Sequence, residues 1–93
     1  MREKTIENKL VQAVKGVEGI ALKLVSPGFD GMPDRLVLLP GGKLAFVEVK
    51  AANCKPRPLQ ESRHGMLRRL GFQVFVLDRP QQIKLILEDI ANG

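Results

Sequence analysis

Residues 34–50 read DRLVLLPGGKLAFVEVK, a stretch dominated by strand-forming side chains. Two runs within it, Asp34–Leu39 and Lys43–Lys50, predict a pair of β-strands. Between them stands Pro40-Gly41-Gly42, a turn signal of the length that joins antiparallel strands in a hairpin. This hairpin predicts the centre of a sheet and assigns its charged residues to defined faces.

Turn chemistry sets the register of the hairpin. A three-residue loop needs a left-handed residue at its last position, which Gly42 provides. If Leu39 then pairs with Lys43, Asp34 lies opposite Glu48, and opposed residues point to the same face of a sheet. A two-residue turn would shift the pairing by one residue and turn these two carboxylates to opposite faces. We predict the first register.

Periodicity and turn residues extend the prediction in both directions from the hairpin. The further elements are a helix over 3–15, a strand over 20–25, an irregular loop over 26–33, a second helix after Pro58 that ends at Gly71, a buried strand over 72–77 and a third helix over 80–91. The order αβββαβα predicts an α/β fold with a mixed central sheet flanked by helices. A chain of 93 residues builds one core, so we expect a single domain over 1–93.

Composition disfavours several classes of protein. With 44% hydrophobic and 27% charged residues, the chain resembles a folded globular domain rather than a disordered one. It contains no apolar run of membrane-spanning length and no signal-peptide pattern, so we expect a cytoplasmic protein of a bacterial or phage-infected cell. One cysteine and one histidine cannot supply a structural zinc cage.

The net charge of +5 is concentrated in one segment. Residues 55–69 carry five basic side chains and one acidic side chain, which favours an anionic partner. The arginines of this segment are equally explained as a solubilising face, since no aromatic residue stands among them for base stacking. The residues that we expect to contact DNA are Arg35, Lys55, Arg57 and Arg63.

Asp34, Glu48 and Lys50 are suited to phosphodiester hydrolysis. Magnesium prefers hard oxygen ligands and is typically held by one or two carboxylates plus substrate phosphate oxygens. Lys50 follows Glu48 by two positions, so on a strand it projects to the same face about 6–7 Å further along, leaving room for a water. A metal would activate that water, and Lys50 would orient it and offset charge on the phosphate.

Four pieces of the sequence resemble those of one nuclease family. They are GMPDRL at 31–36, FVEVK at 46–50, Arg57 followed by Gln60, and GFQV at 71–74. In this order and with these short spacings, they resemble the PD-(D/E)xK nuclease superfamily and, within it, the VRR-NUC group. The resemblance spans residues 3–78 and implies a restriction-endonuclease-like fold.

The resemblance also implies a set of site residues. A Mg²⁺ or Mn²⁺ ion would be held by Asp34, Glu48 and the carbonyl of Val49. Lys50 would be catalytic, and Gln60 would complete the catalytic set from the following helix. His64 stands too isolated in the sequence to nominate as a general base.

A carboxylate on the first helix is implied as a further metal ligand. Glu7 is the first candidate, because Leu10 and Val14 follow at three and seven positions and place it on or beside the buried face. Glu3, one turn earlier, is the second.

The resulting hypothesis is a metal-dependent, structure-directed DNA endonuclease that resolves Holliday junctions as a homodimer. A two-fold pair would place two cutting sites on opposed strands, and stand-alone VRR-NUC domains resemble such resolvases. The alternatives are a nicking or flap-type nuclease on other DNA structures, a nuclease acting on RNA, and a non-catalytic nucleic-acid-binding module.

Overall fold

The computed structural model describes residues 1–93 and has the predicted order of elements. These are α1 (Glu3–Gly16), β1 (Ile20–Lys23), β2 (Arg35–Leu39), β3 (Lys43–Val49), α2 (Pro58–Arg69), β4 (Gln73–Leu77), a 3-10 turn (Pro80–Gln82) and α3 (Ile83–Asn92). The strands form one sheet in the order β1-β2-β3-β4. The first three strands are antiparallel and β4 is parallel to β3, so the predicted mixed α/β sheet is confirmed.

The predicted hairpin register is also confirmed. Leu39 pairs with Lys43, and Arg35 pairs with Val47 at the other end of the ladder. Gly41 and Gly42 both have positive φ, 86° and 73°, a conformation that costs glycine little. One step beyond the last pair, Asp34 is therefore aligned with Glu48.

Helices α1 and α3 pack on one face of the sheet and bury the main core there. Three residues of α1 spaced one turn apart, Ile6, Leu10 and Val14, have no exposed surface. They meet alternate residues of the central strands, because side chains one position apart on a strand point to opposite faces. The strand residues in this core are Ala21, Val37, Leu39, Ala45, Val47, Val49 and Leu77.

Helix α2 lies on the opposite face, where Leu67 and Val74 are buried. It ends before Gly71, whose φ of 100° reverses the chain into β4, and the predicted helix stop is confirmed. Because β3 and β4 are parallel, the connecting helix must return along the sheet. Its first turn therefore begins near the carboxyl end of β3, where Glu48 and Lys50 lie.

The element boundaries differ slightly from prediction. β1 ends at Lys23 instead of continuing to 25. The segment 24–34 is irregular, with backbone hydrogen bonds from the Leu24 amide to the Asp34 carbonyl (2.8 Å) and from the Phe29 amide to the Ser26 carbonyl (3.1 Å). The last helix opens with a 3-10 turn at Pro80. None of the helices has the length and apolar character needed to cross a bilayer.

Candidate active site

Asp34 begins the site, immediately before β2. Its side-chain Oδ2 accepts a hydrogen bond from the Val49 amide (2.8 Å). The pairing of β2 with β3 ends at Arg35 and Val47. Beyond this pair, the Asp34 carboxylate accepts the hydrogen bond of the Val49 amide in place of a backbone carbonyl. This bond fixes the Asp34 carboxylate at the end of β3, next to Glu48.

Glu48 is the most deeply enclosed charged residue, with 1% of its surface exposed. Its Oε2 accepts a hydrogen bond from Gln60 Nε2 (2.9 Å) and lies 3.5 Å from Lys50 Nζ. Burial raises the pKa of Glu48 to about 7, the nearby Asp34 carboxylate adds to the rise, and Lys50 opposes it. Strongly shifted carboxyl groups of this kind are concentrated in functional sites.

Gln60 connects the start of α2 to Glu48. It is buried, and its Oε1 accepts a hydrogen bond from the Arg57 amide (2.9 Å) at the beginning of the helix. Because that bond requires the amide oxygen, the NH₂ group must point towards Glu48. Gln60 thus faces the site as predicted, and it acts there by orienting the carboxylate.

Lys50 lies closer to Glu48 than predicted. We expected its ammonium about 6–7 Å further along the strand, whereas Nζ is 3.5 Å from Glu48 Oε2. That expectation was wrong because β3 ends at Val49, and the flexible stem of Lys50 turns back towards a buried negative charge. In this structure Lys50 and Glu48 form an ion pair.

Glu7 is not brought to this cluster. Its Oε2 binds Arg35 Nε at 2.9 Å, and the same guanidinium donates to the Ala21 carbonyl (3.0 Å). Arg35 pairs with Val47 and so points to the α1 face, away from Glu48. No three His, Cys, Asp or Glu side chains are close enough to hold a metal ion together.

The ion pair between Glu7 and Arg35 affects two of the predicted roles, which remain predictions. Arg35, predicted to contact DNA, has internal partners that hold its guanidinium, so its placement does not support that role. Glu7 would need to leave this ion pair before it could bind a metal beside Asp34. Glu3, the second candidate, is exposed in the first turn of α1.

The predicted DNA-binding residues in α2 and just before it divide into two groups. Lys55 and Arg57 are exposed next to the start of the helix, close to Gln60. Arg63 instead folds onto the 26–33 loop, where Nε donates to the Asp30 carbonyl (2.8 Å) and the guanidinium lies 3.9 Å from the ring centre of Phe29. Arg63 therefore fastens the loop that leads into Asp34.

Gly31 allows this loop to approach α2 closely. It has a φ of +88°, and a Cβ at this position would lie 2.8 Å from Leu59 Cγ and 3.1 Å from Arg63 Cγ. We expect Gly31→Ala to lower the free energy of unfolding by roughly 1–3 kcal/mol and to reduce activity by displacing Asp34. Thermal or urea unfolding measures the first effect.

Gly28→Ala is the matched control for Gly31→Ala. Gly28 has a similar φ of +77°, but a Cβ there would meet nothing within 4 Å. Both variants place an alanine in a left-handed conformation. The difference between their free energies of unfolding therefore measures the contact with α2 alone. Equal losses in the two variants would show that close packing of the loop is unimportant.

His64 is a site residue that the sequence prediction missed. It is 2% exposed, and its Nε2 lies 3.7 Å from Glu48 Oε1. The sequence feature that could have identified His64 is its spacing from Gln60, because residues four apart on a helix share a face. If Gln60 faces the site, His64 must face the same side one turn later.

The mixed four-stranded sheet with its three helices is the restriction-endonuclease-like fold of a nuclease. No family sequence profile matches the chain. A protein named "Putative nuclease p44", from Acyrthosiphon pisum secondary endosymbiont phage 1, is 55% identical over 78 residues, which cover 84% of each protein. A solved structure described as a VRR_NUC domain is 34% identical, with a TM-score of 0.86, over 92% of this chain and 94% of that one.

The chain belongs to the VRR-NUC family of nucleases. The resemblance found in the four sequence pieces is thereby confirmed at the level of the family and the fold.

Proposed function

We propose that this nuclease is a Mg²⁺- or Mn²⁺-dependent DNA endonuclease that cleaves branched DNA, with the four-way junction as its preferred substrate. The observation that carries the chemistry is the buried Glu48, held between Gln60 and Lys50 beside Asp34. Keeping a carboxylate in this environment is costly for folding, so its retention favours a catalytic role. The choice of junction rests on the family resemblance alone.

The donor set fits a hard divalent cation. Asp34 and Glu48 would hold it through carboxylate oxygens, with the Val49 carbonyl as a third oxygen ligand. When bound, the metal would neutralise charge on the phosphate and lower the pKa of a water. Imidazole is absent from this proposed set, which matches the preference of Mg²⁺ and Mn²⁺ for oxygen.

The protein's own groups have separate tasks in this mechanism. Gln60 holds Glu48 in one orientation, and the Val49 amide does the same for Asp34. Lys50 donates to the phosphate oxygen or to the attacking water, where its charge offsets the charge that develops during hydrolysis. Glu7 remains a candidate fourth ligand whose recruitment requires the Arg35 ion pair to open.

DNA is the expected polyanion for the exposed basic residues next to the site. Lys55 and Arg57 lie at the start of α2, and the net charge of +5 favours phosphate contacts that carry no sequence information. The relative named as nuclease p44 comes from a phage. That origin supports an activity in the cytoplasm of a bacterial or phage-infected cell.

A homodimer formed through β1 would provide two cutting sites. On the α2 side of this edge strand, Ile20 and Leu22 are 51% and 41% exposed. Edge strands with exposed apolar residues pair readily, and a two-fold axis lets the same strand meet its copy.

We expect Leu22→Lys to convert the dimer to a monomer in light scattering, while Leu85→Lys on exposed α3 leaves it unchanged. A monomeric native chain would contradict this arrangement.

A structured-DNA cleavage panel tests the proposed function. Four-way junctions, flaps, nicked and linear duplexes and matching RNA are incubated with Mg²⁺, Mn²⁺ or EDTA, beside a Lys50→Met variant. We expect metal-dependent paired cuts in the junction, none with EDTA, and strongly reduced cutting by the variant. Equal cutting of junction and linear duplex would overturn the junction preference, and preferential cutting of RNA would overturn the DNA assignment. Junction binding without any cleavage would indicate the non-catalytic module.

Metal binding should strengthen as the pH rises towards about 7 and then level off. Because the pKa of Glu48 is raised to about 7, a proton competes with the metal for this carboxylate below that pH. Well below the pKa, each further unit of acidity should weaken binding about tenfold. Mn²⁺ titrations followed by electron paramagnetic resonance measure this directly. Affinity that stays constant down to about pH 5 would exclude a raised Glu48 pKa.

A further inference from the structure

Two buried polar atoms face each other in the site without a hydrogen-bond partner. They are Glu48 Oε1 and His64 Nε2, and both residues are at most 2% exposed. Their separation is 3.7 Å, which is longer than a hydrogen bond. A buried acceptor and a buried donor left unpaired both destabilise the fold, so a hydrogen bond between them would remove both penalties at once.

We propose that His64 is a positioning residue for Glu48, with its Nε2–H donating to Oε1. The proposal rests on the function proposed for Glu48, and it assigns the two carboxylate oxygens different tasks. Oε2 already accepts from Gln60 and lies beside Lys50. With Oε1 anchored to His64, the carboxylate cannot rotate about its terminal bond, and Oε2 stays on the side of Lys50.

The small movement that this contact requires is within reach of the side chains. Closing 3.7 Å to a normal hydrogen bond needs a shift of about 0.8 Å. Both residues come from rigid elements, since Glu48 is on β3 and His64 is in the middle of α2. The contact therefore links the central strand to a second point of the helix, one turn beyond Gln60.

The tautomer of His64 follows from its surroundings. A neutral imidazole carries its one N–H hydrogen on either Nδ1 or Nε2, and Nε2 is the ring atom that faces Glu48 Oε1. If that hydrogen were on Nδ1, the Nε2 lone pair would face an oxygen lone pair of an ionised Glu48. Placing the hydrogen on Nε2 pairs both atoms instead.

Two substitutions separate positioning from packing. His64→Gln retains a side-chain NH₂ donor of comparable reach, whereas His64→Leu fills the space without a donor. We expect His64→Leu to weaken Mn²⁺ binding roughly 10- to 100-fold and His64→Gln to remain close to the native value. Binding is measured without DNA by electron paramagnetic resonance, at a temperature where circular dichroism shows each variant folded.

A spectroscopic measurement on the native protein keeps the proposal testable if a variant does not fold. ¹⁵N correlation spectra of His64, recorded at about pH 8.5 so that Glu48 with its pKa of about 7 is ionised, should show the Nε2–H tautomer in the metal-free protein. The Nδ1–H tautomer, or equal Mn²⁺ affinity in all folded variants, would overturn the positioning role and leave the proposed function standing. If the native protein neither binds Mn²⁺ nor cleaves DNA, the proposed function fails, and the tautomer alone decides the Glu48 contact.

Discussion

Glu48→Gln should reduce cleavage of a four-way junction by about three orders of magnitude. The amide keeps the shape of the side chain but removes the negative charge that a divalent cation needs. A bound metal contributes several kcal/mol of transition-state stabilisation, and each 1.36 kcal/mol corresponds to a factor of ten in rate. Single-turnover cleavage at a saturating Mg²⁺ concentration measures the loss.

The same substitution should stabilise the metal-free protein above neutral pH. Because the folded-state pKa of Glu48 is raised from 4.5 to about 7, the native state binds more protons than the unfolded state between these values. Its stability therefore falls as the pH rises through this interval, and Gln lacks that penalty. At about pH 8 the free energy of unfolding should increase by on the order of 3 kcal/mol.

Glu88→Gln is the control for both effects. Glu88 is an exposed acid on α3, on the opposite face of the sheet, so its substitution removes the same charge without touching the site. It should change neither the cleavage rate nor the slope of stability against pH. If Glu48→Gln destabilised the protein at every pH, the ionised carboxylate would stabilise the fold, which contradicts the expected penalty.

Local features of the sequence were sufficient to predict the hairpin and its register. Gly42 takes the left-handed conformation that the predicted turn requires, and Gly41 takes one that was not predicted. The strict two-residue alternation of strands then fixes every face. The opposition of Asp34 and Glu48 follows from these local rules. The stop of α2 at Gly71 was predictable for the same reason, because one residue's backbone preference determines it.

Contacts between elements were less predictable, because they depend on how a helix is set against the sheet. The sequence placed Glu7 near a buried face but could not reveal Arg35 as its partner, since both side chains are long. Similarly, the 3.5 Å approach of Lys50 to Glu48 arises from a flexible stem. His64 has the helical spacing of a site residue, yet its approach to Glu48 is fixed only by the crossover between β3 and β4.

Lys50→Met should lower cleavage by roughly 100- to 1,000-fold while leaving metal binding recoverable. Methionine keeps much of the apolar stem and removes the ammonium group. Lys50 at present lowers the pKa of Glu48, so its loss should raise that pKa further above 7. At neutral pH the variant should therefore bind Mn²⁺ more weakly, and the midpoint of its pH dependence should move upwards.

Raising the pH distinguishes the two roles of Lys50. In alkaline solution Glu48 is ionised in both proteins, so Mn²⁺ affinity should approach the native value, whereas cleavage should remain low because no ammonium offsets the developing charge. Lys84→Met, on exposed α3, removes one positive charge far from Glu48 and should alter neither property. Full recovery of cleavage at high pH would mean that Lys50 serves only to keep Glu48 ionised. Persistent loss with normal Mn²⁺ affinity would instead assign the ammonium a direct part in phosphodiester hydrolysis.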